Sequence, residues 1–397
     1  MWWLLKTMCF VHILGNTLCL PYKKYKNPEA NMNTKQIISY WGYPSEVYEV
    51  YTKDGYILEV CRIPHGKNKA THLGQKPVVY LQHGFLATAG IWVANLPSNS
   101  LGFMLADAGY DVWMGNSRGN TWSKRHLYLD TDSKEFWTFS YDEMIKYDLP
   151  ATIDFILEET RQKQIYYVGH SQGTLIAFGA FATNPQLAQK IKISFVLGPI
   201  ATAKYIAGGL QALSYLPPGV FKLIFGEKEI LPYSHFNDVT KKLCNYKIFH
   251  FLCNSMFTFF FGYDRKNLNE SRYDVYLQLI PSGSSVQNLL HYFQAIHTGT
   301  FQAYDYGSAS LNFQHYNQST PPEYNVENMK VPTAMWSGGR DPLADPRDVQ
   351  NLERRISNLI YNKEISYYNH NDFLIGKDAP TQVFSGILKI LSETKGD

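Results

Sequence analysis

Two patterns alternate along most of this chain. Continuous apolar runs mark strands buried on both faces: Val78-Val79-Tyr80-Leu81, Val112-Trp113-Met114, Ile165-Tyr166-Tyr167-Val168, Ile193-Ser194-Phe195-Val196-Leu197 and Pro332-Thr333-Ala334-Met335-Trp336. Helical spacings separate them. Ile145, Leu149, Ile153 and Ile156 recur through residues 142–157, and a second helix is predicted to follow Ser171 as far as Ala180. Strands alternating with helices predict an α/β fold built on a mostly parallel central sheet with helices on both faces. Upstream, Tyr48-Glu49-Val50-Tyr51-Thr52 and Tyr56-Ile57-Leu58-Glu59-Val60 flank Lys53-Asp54-Gly55, and the Asp-Gly pair predicts a hairpin at the sheet edge.

Between about residues 201 and 324 this rhythm breaks, and the chain becomes rich in Phe, Tyr, Leu, Gly and Pro without obvious strands. The expectation is an inserted cap at 201–324 that divides the core into 20–200 and 325–397. Within it, residues 247–263 carry Phe249, Phe251, Leu252, Phe257, Phe259, Phe260 and Phe261. These side chains form either the core of the cap or the apolar face of a mobile lid that meets lipid, and both readings stand at this point. The first residues, MWWLLKTMCFVHILGNTLCL, read as a signal peptide over 1–19, with Thr17 and Cys19 small enough to flank a cleavage site after Cys19. The run is shorter than the ~20 apolar residues a bilayer span needs, and no other stretch is a convincing span. The expected destination is secreted or the lysosomal lumen.

Composition adds exclusions. At 397 residues and 45% hydrophobic, the chain can bury a large core, while a net charge of +3 without a basic cluster argues against a nucleic-acid partner. Downstream of the expected cleavage site three cysteines remain. Cys61 falls in a predicted strand as a buried free thiol; Cys244 and Cys253 close a short loop whose spacing suits a disulfide in an oxidising compartment. Asn269-Glu270-Ser271 and Asn317-Gln318-Ser319 are glycosylation sequons. Nothing has the spacing of a metal site, and no cofactor is implied.

The candidate chemistry lies where strands end. Gly169-His170-Ser171-Gln172-Gly173 fits G-x-S-x-G directly after a strand and before a helix, the context in which a sharp turn exposes a nucleophilic serine in an α/β hydrolase. His170 is expected to pack or hydrogen-bond rather than serve as base, because adjacent side chains at such a turn point apart. The partners of the serine follow in the order acid, then histidine. Asp341 lies just past the strand ending at Trp336; Asp345 and Asp348 are competitors placed where acids cap a helix. Of 12 histidines only His370 lies beyond Asp341, in a loop, as a general base should. Oxyanion donors are expected from the backbone of Gln172 and, past the strand Val78 to Leu81, of Phe85.

These segments resemble the acid lipases, the family of gastric and lysosomal acid lipase. The resemblance extends through Leu81-Gln82-His83-Gly84, Leu105-Ala106-Asp107-Ala108-Gly109-Tyr110-Asp111-Val112-Trp113, Gly115-Asn116-Ser117-Arg118-Gly119-Asn120, Gly169-His170-Ser171-Gln172-Gly173-Thr174 and Tyr368-Asn369-His370-Asn371-Asp372-Phe373, nearly end to end. It implies the α/β-hydrolase fold with a cap and lid, a disulfide between Cys244 and Cys253, the same triad and oxyanion donors, and hydrolysis of triacylglycerols or sterol esters at acidic pH. The expected partners are a lipid ester and the lipid–water interface. Phe85 departs from the leucine usual in the family and is expected to alter pocket shape. Two other readings stand beside the lipase: a broad carboxylesterase or thioesterase using the same triad, and an inactive lipid-binding protein.

Overall fold

The computed structural model describes residues 27–67, 75–232, 262 and 266–394. The expected signal peptide, Cys244, Cys253 and nearly all of the phenylalanine-rich segment lie outside the described residues.

Ten strands are described: β1 (Glu46–Tyr51), β2 (Ile57–Ile63), β3 (Val78–Gln82), β4 (Asp111–Gly115), β5 (Ile165–His170), β6 (Ile191–Leu197), β7 (Glu229–Ile230), β8 (Ser284–Ser285), β9 (Thr333–Gly338) and β10 (Leu359–Ile365). Eight form one sheet in the order β1-β2-β4-β3-β5-β6-β9-β10, while β7 and β8 pair separately. The β1–β2 hairpin and the β2–β4 pair are antiparallel, and every later pair in the large sheet is parallel. The apolar runs are its centre: every residue of β3, β4, β5 and β9 is buried. The last strand, β10, differs. It lies at the sheet edge with alternating partly exposed positions, so only its opening Leu359-Ile360-Tyr361 reads as apolar in the sequence.

Alternate side chains of the strands feed two apolar layers. Val79, Leu81, Val112, Met114, Val168, Phe195 and Trp336 point to one, and Val78, Tyr80, Trp113, Tyr167, Val196 and Met335 to the other. The first is covered by helices α1 (Leu101–Asp107) and α6 (Ser385–Glu393); the second by α2 (Leu149–Thr160), α3 (Gln172–Thr183) and α5 (Pro346–Arg355). The predicted helix over 142–157 runs from Tyr141 to Thr160, but with a π-turn at Met144–Asp148 just ahead of Pro150. Proline lacks an N–H and its ring crowds the preceding turn, so a widened turn there is the local accommodation.

No strand of the large sheet comes from residues 201–324 among those described. This stretch instead supplies the β7–β8 pair and several helices, including α4 (Val286–Thr298). Its buried Ala203, Ile206, Phe221, Ile230, Leu289 and Phe293 form a third apolar cluster, which also takes in Leu86 from the loop after β3. Residues 273–280, by contrast, pack into the first layer of the core. No helix among the described residues is long and apolar enough to cross a membrane.

Candidate active site

The sheet order reverses between β3 and β5: the chain moves outward from β3 to β4 on one side, and from β5 to β6 on the other. In open α/β sheets the crevice beyond the carboxyl ends at such a reversal is where ligands bind. Phe85 follows β3 there and Ser171 follows β5.

Ser171 sits at a sharp bend with φ 54° and ψ −119°, a conformation costing a non-glycine residue about 1–3 kcal/mol. Its N–H donates to Leu197 O at 3.1 Å, which ties the bend to β6. The glycines around it are required by proximity. A Cβ on Gly169 would lie 2.8 Å from the Gly173 backbone, one on Gly173 would collide with the Gln82 carbonyl, and one on Gly84 would lie 2.8 Å from Ser171 Cβ. Strand, bend, helix and the loop after β3 therefore pack closely against one another.

Asp341 and His370 lie in hydrogen-bond contact. The loop after β9 is knitted to the loop after β10 by Gly339 N to Ile365 O and Arg340 N to Tyr368 O, both 3.0 Å. His370 Nδ1 lies 2.8 Å from Asp341 Oδ2 and 3.0 Å from Oδ1, and both side chains are buried. Asp341 Oδ1 also accepts the N–H groups of Leu343 and Ala344, each at 2.8 Å. A carboxylate so placed holds Nδ1–H as the donor and leaves Nε2 to accept a proton. Among the described residues Nε2 is buried without a hydrogen-bond partner, Ser171 included. The competing acids are engaged elsewhere: Asp345 caps α5 through Arg347 N, and Asp348 accepts Thr202 Oγ1 and Tyr205 N.

His170 has the structural part expected of it. Its Nε2 is 2.8 Å from the His370 carbonyl oxygen, and burial, with His370 beside it, holds its imidazole well below the ordinary range. His83 plays a part the sequence did not reveal. Ser117 N donates to its Nε2 at 3.0 Å, while Nδ1 lies 2.7 Å from Gly84 O, so the ring braces the loop carrying Phe85. Burial pushes His83 down to about 4, which keeps it neutral and Nε2 an acceptor through mildly acidic conditions.

Gln172 opens α3, where the first N–H groups of a helix have no intrahelical acceptor. Among the described residues neither its N–H nor that of Phe85 donates a hydrogen bond. Ser171 and His370 face a common cavity of about 730 Å³, counted out to its open mouth; Phe85, Leu86, Leu210, Leu213, Leu231, Ile280, Leu289, Leu343 and Leu374 line it. The expected departure at Phe85 thus lies on the cavity wall, its ring 5.3 Å from that of Tyr292. Of the sequon residues, Asn317 is exposed, and Asn269 is half-buried with its side chain accepting from Ser271 Oγ and N. Cys61 is a buried free thiol in β2.

With this geometry in view, comparison with known proteins is decisive for kinship. The model described as alpha/beta hydrolase fold matches residues 77–377, and that of a partial alpha/beta-hydrolase lipase region matches residues 34–96. Gastric triacylglycerol lipase of Bos taurus is 55% identical over 396 residues, covering 100% of both chains. Tear acid lipase-like protein of Mesocricetus auratus is 57% identical, covering 99% of this chain and 98% of its own. Lipase member K of Homo sapiens is 53% identical, covering 99% of each. Among solved structures, a protein of Sulfolobus solfataricus aligns with TM-score 0.58 at 16% identity (88% of this chain, 94% of that one). A carboxylesterase of Bacillus subtilis aligns with TM-score 0.51 at 12% identity (91% and 96%). At those identities the structures speak for the fold alone. The sequence relatives reach further, and this chain belongs to the acid lipase family of the α/β-hydrolase fold, alongside gastric triacylglycerol lipase and lipase member K.

Proposed function

We propose that the protein is a serine lipase that hydrolyses carboxylic ester bonds of neutral lipids, triacylglycerols or sterol esters, through an acyl-enzyme at acidic pH. The observation that carries this reading is the convergence of Ser171 at its strained bend and the Asp341-bound His370 on one cavity walled by leucines. Ser171 Oγ adds to the ester carbonyl as His370 Nε2 takes its proton; the free Nε2 is the acceptor this step needs. The Phe85 and Gln172 N–H groups receive the developing oxyanion, and donors of this kind lower the barrier by about 3–4 kcal/mol each. His370 then protonates the departing alcohol, and a water activated by the same imidazole releases the fatty acid and restores Ser171. Asp341 stabilises the imidazolium in both halves of the reaction.

The apolar cavity suits a long acyl chain. The helix Pro218–Phe225 and the turn before it expose Tyr215, Val220, Leu223, Ile224 and Phe225, with Leu223 86% exposed. Leu210 and Leu213, just upstream, line the cavity. Apolar surface of this kind supports action at a lipid–water interface. In the same reading, residues 201–324 form the cap over a core of 20–200 and 325–397, Cys244 and Cys253 are joined, Asn269 and Asn317 carry glycans, and the protein works outside the cell or in the lysosomal lumen.

Fatty-acid release from emulsified long-chain triacylglycerol and sterol ester, compared with a soluble short-chain ester from pH 3 to pH 8, tests the proposal. Long-chain lipid is expected to be turned over best below neutrality, and Ser171→Ala to abolish release. Turnover confined to soluble short esters would replace the lipase with an esterase, and activity surviving in Ser171→Ala would remove the proposed nucleophile.

A further inference from the structure

One helix of the 201–324 stretch touches both residues whose N–H groups are assigned to the oxyanion. On α4, Asn288 and Tyr292 lie four residues apart and so share a face. Asn288 Nδ2 donates to Gln172 Oε1 at 2.9 Å, and the Tyr292 hydroxyl donates to the same oxygen at 3.2 Å. The other end of the Gln172 amide reaches Met144 Sδ at 3.3 Å. Gln172, the first residue of its helix, is thereby clamped at both ends of its side chain. On the other flank the Tyr292 ring leans on Phe85 at 5.3 Å between centroids. The helix itself is anchored to the core: Ser285 Oγ accepts Asn288 N and donates to the Phe139 carbonyl.

We infer that Asn288 and Tyr292 are positioning residues for the oxyanion donors, aiming the Gln172 N–H through its side chain and holding the Phe85 loop through the Tyr292 ring. This rests on the lipase reading above. Preorganised donors help catalysis only when they already point at the place where charge develops, so loosening them costs rate in the chemical step more than substrate binding. A buried oddity fits the same assignment. Among the described residues Asn288 Oδ1 has no hydrogen-bond partner, although its residue is fully covered. A tie selected only for stability would not favour leaving a buried acceptor unpaired. The donating Nδ2, which serves Gln172 Oε1 at 2.9 Å and Ser284 Oγ at 3.1 Å and so ties Gln172 to the start of α4, is what an asparagine offers here and a leucine does not.

The test uses a soluble p-nitrophenyl ester, so that adsorption to lipid does not enter, and a trifluoromethyl ketone that places an oxyanion in the site when Ser171 adds to it. Tyr292→Phe removes a single oxygen and keeps the ring; Asn288→Ala removes the whole tie. Each is expected to lower kcat about tenfold, below the ~10²–10³ lost with a donor itself, with KM unchanged and ketone affinity falling in parallel. In a Gln172→Ala background, which keeps the N–H but lacks the clamped side chain, neither substitution should lower kcat appreciably further. The inference is overturned if both variants change only KM or melting temperature, or if their effects on kcat simply multiply with that of Gln172→Ala. If Asn288→Ala fails to fold, Tyr292→Phe decides alone. Failure of the lipase reading looks different: the unmodified enzyme would not turn over esters, or Ser171→Ala would.

Discussion

Asp341→Asn is the substitution that most sharply separates the proposed triad from a buried ion pair of only structural value. In the native chain Oδ1 accepts two backbone N–H groups at 2.8 Å, and both carboxylate oxygens face His370 Nδ1. An asparagine keeps one oxygen. If that oxygen stays with Leu343 and Ala344, the new NH₂ group faces His370 Nδ1, which must give up its proton to avoid a donor–donor contact. The proton then resides on Nε2, and a base protonated there cannot accept one from Ser171. The amide change also removes the charge that stabilises the imidazolium. Loss of tautomer and charge together in an acyl-transfer triad lowers kcat about 10⁴-fold, or roughly 5 kcal/mol in barrier height. Folding should suffer far less, because size and the two backbone hydrogen bonds are retained. The assay is initial-rate hydrolysis of a p-nitrophenyl ester with the melting temperature measured on the same preparation. Asp345→Asn, at a partly buried helix cap away from His370, serves as the comparison and is expected to stay within a few-fold of native. Asp341→Asn retaining more than a tenth of native kcat would refute the reasoning.

Three further outcomes follow from the packing. Gly84→Ala puts a Cβ 2.8 Å from Ser171 Cβ and 3.2 Å from His170 Nδ1; it should cost about 1–3 kcal/mol in urea unfolding and depress kcat by displacing the oxyanion loop, and native turnover would contradict that. Arg118 is fully buried between Asp54 at 2.7 Å and Asp148 at 2.6 Å, so Arg118→Met leaves Asp148 unpaired and should cost about 3–5 kcal/mol; a loss below 1 kcal/mol by the same unfolding measurement would count against it. Asp142 and Glu143 are adjacent, without an ion-pair partner among the described residues, and burial pushes both carboxyls above their ordinary 3.8 and 4.5. The folded state then binds their protons more tightly than the unfolded chain does. Their contribution is therefore complete below the ordinary carboxylate range and is lost as pH rises from there towards neutrality. Glu143→Gln should flatten the decline of melting temperature between pH 4 and pH 7, and a profile parallel to native would remove the pair as its cause.

What could be read in the sequence, and what could not, divides along the range of the interactions. The central strands were legible because burial on both faces demands unbroken apolar runs, and Val78 to Leu81 or Ile165 to Val168 can meet that demand in few other ways. The placement of Ser171, Asp341 and His370 past strand ends was legible because the order of strand ends along the chain restricts which acid and which histidine can lie on the serine's side of the sheet. Strand β10 was not legible, since an edge strand half open to solvent alternates Ile360, Asn362 and Glu364 with partly covered positions and has no continuous apolar signature beyond its opening residues. The π-turn before Pro150 was missed for a similar reason: the helical spacing survives on both sides of it. The clamp on Gln172 lies furthest from local pattern. Asn288 and Tyr292 are 116 and 120 residues away in sequence, on a helix whose polar and apolar positions suit any partly buried helix. No motif links them, and only the folded contact brings a segment outside the sheet against Gln172 and Phe85, the proposed oxyanion donors. Substitutions on that segment should therefore affect the chemical step as well as access to the cavity, a coupling that the catalytic motifs alone do not reveal.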